Sequence, residues 1–133
     1  YTRSAYPSLL AALQVYSLEH LAPSWIPPRF ALHSVTVDEL EGMTTIVAWH
    51  EDGTGQGFSI VVNMMAQGET DSMRTIYETN GDYKERSINS NSYFFAGNMD
   101  KLSVYWTYQS CLCNINGDLT QEEAEQLIAS IGG

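Results

Sequence analysis

The sequence predicts an α+β fold: an antiparallel sheet of about five to seven strands, with an N-terminal helix and a C-terminal amphipathic helix packed on it. Three observations predict it. Apolar residues near the start and the end recur at helical spacing. The stretch between them breaks into short segments rich in β-branched and aromatic residues. Turn-forming residues separate those segments at hairpin distances. Runs of strands flanked by helices read as α+β rather than α/β.

The elements follow in order. "YPSLLAALQVYSLEHL" places Leu9, Leu10, Leu13, Tyr16 and Leu21 at roughly helical spacing. The reading is a helix over about 7–21, with Pro7 in its first turn and a stop near Pro23. "PSWIPPRF" carries three prolines, so it is an extended, stiff connector. "FALHSVTV", "MTTIVAWH" and "GFSIVVNMM" read as strands, and the glycine-rich "EDGTGQG" joins the last two as a hairpin. The polar stretch from Ala66 to Tyr83 reads as loop, with a short helix around Met73 to Tyr77. "YKERSI" and "SYFFAG" are two short strands joined at "NSN". "KLSVYWTY" and "CLCNI" form another pair across Gln109–Ser110. "TQEEAEQLIASI" closes the chain as a helix with Ala124, Leu127, Ile128 and Ile131 on one side.

The 133 residues are one domain's worth of chain, enough to bury a real core. Hydrophobic residues make up 44% and charged residues 17%, a globular balance. The net charge of -10 leaves few cations to neutralise phosphate, so no nucleic-acid partner is expected. An anionic membrane surface would repel the chain too. No apolar run approaches the ~18 residues of a membrane span. The chain begins at Tyr1 and not at Met. It is expected to be a trimmed or mature fragment, so the missing anchor says nothing of the native gene product.

Each candidate site has a simpler structural role beside it. Counted from Leu112, the residues Asn114, Asn116, Gly117, Leu119 and Glu123 imitate a calcium loop, but its first ligand position holds a leucine. Thr120 and Glu123 fit a capping box better, with Gly117 turning the chain and Leu119 as a hydrophobic staple towards Ala124. Cys111 and Cys113 share one face of a strand. A bridge across that spacing is strained, with the Cα atoms near ~7 Å. Both thiols therefore read as small hydrophobes beside Ile115 under the last helix. His20, His33 and His50 sit on different elements without ligand spacing, and no metal or cofactor is expected. Glu51, Asp52, Glu69, Asp71, Glu78 and Asp82 read as solvated loop acids rather than a glycosidase pair. No nucleophile-elbow or phosphate-loop motif occurs. Aromatic rings fall on both faces of "SVYWTY" and "SYFF". One face must be core; the other is a candidate binding surface or is covered by helices. Trp25, Trp49 and Trp106 are the candidate binding residues.

Three stretches carry a resemblance to a known family. "LAPSWIPPRF" (Leu21 to Phe30) resembles an opening motif in which Pro–x–x–aliphatic–Pro leads to a Phe that starts the first strand. "VYWTY…CLCNINGDLTQEEAEQLIASI" resembles the matching close: a Trp-bearing strand, a hairpin, a Gly, a polar cap and a helix ending Ile128, Ala129, Ser130, Ile131. The "HEDGTGQGFSIVV" hairpin fits the middle. On these motifs the chain resembles, over about residues 21 to 131, the bacterial family called domain of unknown function 4367. The resemblance implies an extracytoplasmic, sensor-like or accessory domain. Members often follow a transmembrane helix and sometimes resemble the outer part of anti-sigma factors. It supplies no catalytic residues. The cysteines depart from the aromatic or aliphatic residues more usual at those strand positions. The expected function is therefore non-enzymatic, in a membrane-anchored bacterial protein, with an unidentified protein or small-molecule partner. A carrier for an apolar molecule or lipid is the alternative, motivated by the surplus of aromatic and Met side chains. A small hydrolase using loop acids or Cys111 ranks last.

Overall fold

The computed structural model describes residues 1–97 and 101–132. Eight antiparallel strands form one sheet. They are β1 (Thr2–Tyr6), β2 (Ala31–Leu40), β3 (Met43–Glu51), β4 (Gly57–Met64), β5 (Lys84–Ile88), β6 (Asn91–Gly97), β7 (Leu102–Tyr108) and β8 (Cys111–Gly117). Three helices accompany them: α1 (Leu9–Val15), α2 (Gln67–Thr79) and α3 (Gln121–Ala129). The strand order is β1-β2-β3-β4-β8-β7-β6-β5. The sheet is thus two four-stranded meanders joined along β4 and β8, with α2 as the long connection between them.

The α+β class and the antiparallel sheet are as expected, but the strand count of eight exceeds the expected five to seven. The additional strand is β1. "TRSAY" has little β-branched character and pairs with β2 at the sheet edge, from Thr2↔Glu39 to Tyr6↔Val35. The N-terminal helix is shorter than the expected 7–21. It starts after Ser8, whose side chain accepts from the Ala11 N–H at 3.0 Å, so Pro7 precedes the cap instead of entering the first turn. It ends because Ser17 adopts a left-handed conformation (φ 57°), and a single 3-10 turn at Glu19–Leu21 follows.

A second difference lies at residues 67–79. The expected loop with a short helix is one 13-residue helix, α2. Its composition is polar, but Thr70, Met73 and Tyr77 recur at helical spacing and face the sheet. Its Ser and Thr hydroxyls bond back along the helix, Ser72 to the Gly68 carbonyl at 2.9 Å and Thr79 to that of Thr75 at 2.8 Å, and that of Thr70 also reaches the Ser110 carbonyl at 3.1 Å.

Strand alternation divides the core. One sheet face carries Val35, Val37, Ile46, Phe58, Ile60, Val62, Val104 and Ile115, covered by α1 and α3. Cys111 and Cys113 are buried on this face as free thiols, as expected. The other face carries Phe94, Leu112 and Tyr105, covered by Tyr77 and Met73 of α2. The aromatic rings on both faces of β6 and β7 are therefore largely core on both sides.

The two motif-bearing ends of the chain hold each other. Ser24 N–H donates to the Ser130 carbonyl at 3.2 Å, and Trp25 N–H donates to Ser130 Oγ at 3.1 Å. Pro23 and Ile131 form an isolated antiparallel bridge. Arg29 forks onto Glu123, with Nε–Oε2 and Nη2–Oε1 both 2.9 Å. Glu123 also closes the capping box with Thr120, as expected.

Candidate functional site

Among the described residues, one ladder stops while both of its strands continue. The β6–β7 ladder runs from Gly97↔Leu102 to Phe94↔Tyr105 and stops there. Both strands continue: Asn91 to Tyr93 stay paired with β5, and Trp106 to Tyr108 stay paired with β8. The two strands splay, and a cavity of about 360 Å³ opens between them. That is within the size range of small-ligand pockets.

The hairpins on either side determine which backbone groups face this gap. Both loops, Asn89–Ser90 and Gln109–Ser110, have two residues. The pair that closes a two-residue hairpin exchanges both of its hydrogen bonds, and the direction then alternates along each strand. Asn91 and Tyr93 therefore turn their backbone groups to β5, and Tyr108 and Trp106 turn theirs to β8. Ser92 and Thr107 turn theirs towards each other, across the gap, where the ladder no longer joins them.

The walls differ in chemistry. On the side of α1 and α3, Tyr93 and Trp106 close the cleft with ring centroids 5.3 Å apart, and the His20 ring meets Tyr108 edge-on at 4.6 Å. Burial pushes the Tyr93 hydroxyl above its ordinary pKa, with the Cys113 thiol adding to the effect. On the α2 side, Arg74 Nη1 donates to Thr107 Oγ1 at 3.1 Å, and its Nε lies 3.6 Å from Glu78. Ser92 Oγ donates to Glu85 at 2.6 Å. The cleft thus has an aromatic wall, a polar wall where the Arg74 guanidinium stands with the Glu78 and Glu85 carboxylates, and two facing stretches of backbone.

The three tryptophans do not converge. Trp106 lies in the cleft wall and is otherwise buried. Trp25 packs against the main core, its backbone held by Ser130. Trp49 points from the opposite sheet face, its indole N–H donating to Glu51 at 2.7 Å. Its ring lies over Gly57, where any added Cβ would meet it at 2.5 Å. Sequence reasoning missed Arg74, Ser92 and Thr107, because the splay depends on where one ladder stops.

The remaining candidates separate as well. Burial raises the pKa of both thiols, most for Cys113, which disfavours a thiolate nucleophile. His20 and His33 are exposed on different elements, whereas His50 is buried. The His50 ring stacks on Phe58 at 4.6 Å, and Nδ1 has no hydrogen-bond partner. Burial lowers its pKa, opposed by the nearby Ala48 carbonyl. Among the described residues, no group of three or more His, Cys, Asp or Glu could hold a metal ion. Asp52 accepts from the Thr54 N–H and hydroxyl and meets Arg29 at 3.2 Å, a turn role rather than an acid–base one. Among the described residues, no helix is long and apolar enough to cross a membrane.

Comparison with known proteins places the chain. No curated protein matches it. A family model described as Domain of unknown function (DUF4367) matches residues 20–131. The matched region holds both halves of the Ser24–Ser130 clasp and all of the cleft lining except Gly132. It covers every element from β2 to α3, most of the 133 residues, and the chain belongs to this family.

Proposed function

We propose that this chain is a non-enzymatic recognition domain, working outside the cytoplasm as part of a membrane-anchored bacterial protein. Its role is sensory or regulatory, in the manner of the outer part of an anti-sigma factor. The observation that carries the binding role is the splay of β6 from β7. A sheet that leaves two strand edges unjoined inside a 360 Å³ cleft holds polar backbone that needs a partner. The cleft also combines an aromatic wall with a few polar groups, the usual make-up of a ligand site.

Two measurements test this reading. Isotope-labelled protein titrated with an extract of the host's culture medium should show shifts centred on Tyr93, Trp106 and Thr107. Shifts scattered over the surface would remove the cleft as the site. Protease added to intact cells should degrade the domain; protection until lysis would remove the extracytoplasmic location.

A second reading, a carrier of an apolar molecule, has its own observation. A cavity of about 200 Å³ between α1, the connector and the sheet is lined by Leu9, Ile26, Leu32, Ile60 and the buried His50. Native mass spectrometry of freshly purified protein should then show added mass, and a bare mass under gentle conditions counts against it.

A further inference from the structure

The cleft has a shape that selects among ligands. It is a gap in a sheet with one strand edge on each side. Its length is three residues per strand, Asn91 to Tyr93 and Trp106 to Tyr108, about 10 Å at strand rise. It is open at the hairpin end and closed at the other, where the Phe94–Tyr105 pair rejoins the strands. The groups left facing it are the N–H and C=O of Ser92 and of Thr107. A ligand that satisfies both edges must offer donors and acceptors on two opposite sides, and an extended peptide backbone does so.

A chain entering from the open end cannot continue past Phe94–Tyr105, so an inserted peptide must present a terminus there. The permanent charge in the lining is Arg74, a cation whose Nε lies 3.6 Å from Glu78 while Nη1 is turned to Thr107 at the cleft. It stands over Thr107, with its guanidinium about 6.0 Å from the Phe94 ring, near the closed end. A guanidinium matches a carboxylate and repels an amino terminus.

We propose, building on the recognition reading above, that the cleft binds the carboxyl-terminal residues of an extended peptide, inserted as a short strand between β6 and β7 with its terminal carboxylate beside Arg74. Affinity would come chiefly from main-chain hydrogen bonds, so binding tolerates many sequences. The insertion would complete the sheet and stiffen the β5–β6 hairpin against β7.

The probe is a pool of random tetrapeptides with free carboxyl termini, compared with the same pool amidated. Amide exchange of Ser92 and Thr107, read by NMR, should be fast in the free protein. It should slow at least tenfold with the free-carboxylate pool and much less with the amidated one. Arg74→Gln, with its fold checked by the amide spectrum, should bring the two pools level. Ser92→Pro should abolish protection at Thr107, because it removes one gap-facing donor while the β5–β6 ladder runs through Asn91 and Tyr93. Equal responses to both pools, or an unchanged preference in Arg74→Gln, would overturn the carboxylate assignment. Cleft shifts with culture-medium extract but none with peptides would overturn the peptide and leave the recognition reading standing. Silence of the cleft towards every probe would overturn both.

Discussion

At Arg29 one guanidinium joins three parts of the chain. It forks onto Glu123 of α3, reaches Asp52 and Gln56 in the β3–β4 hairpin, and donates to the Asp118 carbonyl at 2.8 Å. Its plane also lies 4.2 Å from the Phe30 ring. Isolated surface ion pairs contribute little, but a forked, shared guanidinium has more to lose. Arg29→Ala is expected to cost about 2 kcal/mol after allowance for solvent, and Arg29→Lys about half of that. Urea denaturation checks both. Glu123 has a pKa held low first by the Arg29 hydrogen bond, and Asp118 first by Lys101. Each is lower folded than unfolded, so its contribution is complete above the ordinary carboxylate range. It fades as the pH drops through the folded value. Stability is therefore expected to fall from about pH 5 downward. Glu123→Gln should make that fall shallower, as thermal melts across pH would record. The thiols give a third expectation. Cys111 and Cys113 are 2% and 0% exposed with raised pKa values, so iodoacetamide at pH 8 should label neither in the native state and both in urea. Mass spectrometry counts the adducts, and rapid native labelling would contradict the burial.

Among the elements, β1 went unread, and α2 was legible only as a short helix. Four of its residues are Ser or Thr and Gly68 sits in its first turn, so local signals argue for a loop. What makes it a helix is non-local. Tyr77 stacks on Tyr105 at 4.8 Å and lies within ring contact of Tyr83 and Phe94. Burial, with Tyr105 and Tyr83 nearby, pushes the Tyr77 hydroxyl up to about 12. Tyr77→Ala should remove most of what docks α2, at a cost of about 3 kcal/mol or of the helix's own docking energy if that is smaller. Hydrogen exchange should show α2 opening while β2, β3 and β4 keep their protection. Strands with strong alternation, such as β3 and β4, were legible because side-chain period and burial agree there. The C-terminal helix was legible from its cap. The short α1 was misjudged because apolar spacing continues past Ser17 while the backbone turns away. The cleft left no signature, since "SYF" and "WTY" read as ordinary strand whether or not they pair.

For the whole molecule, the two meanders meet only along β4–β8 within the sheet, and α3 and the clasp brace them from one side. The first meander carries an edge strand, β1, that precedes the family match. Its ties to β2 include the Arg3–Asp38 pair at 2.7 Å. Deleting residues 1–6 should leave a folded protein, because most of the core lies elsewhere. It should also bare the paired edge of β2, a long strand with exposed Leu32 and Leu40. Light scattering of the truncated protein should therefore reveal self-association that the intact chain lacks. A monomeric truncated form would show that β1 does not serve as an edge guard.

The clasp at Ser24 and Ser130 has a further consequence for architecture. It brings the beginning and the end of the family region to one spot, and the His20 carbonyl lies 3.6 Å from where a side chain on Gly132 would start. A unit whose two ends share a doorstep can be spliced into a surface loop of another protein without stretching its host. It can equally be cut open at a distant hairpin and resealed across the doorstep by a short glycine bridge. Tension applied to those two ends would load the clasp first, and with it the wall of the cleft that His20, Leu21 and Ile131 form, before it reached the strands of the sheet.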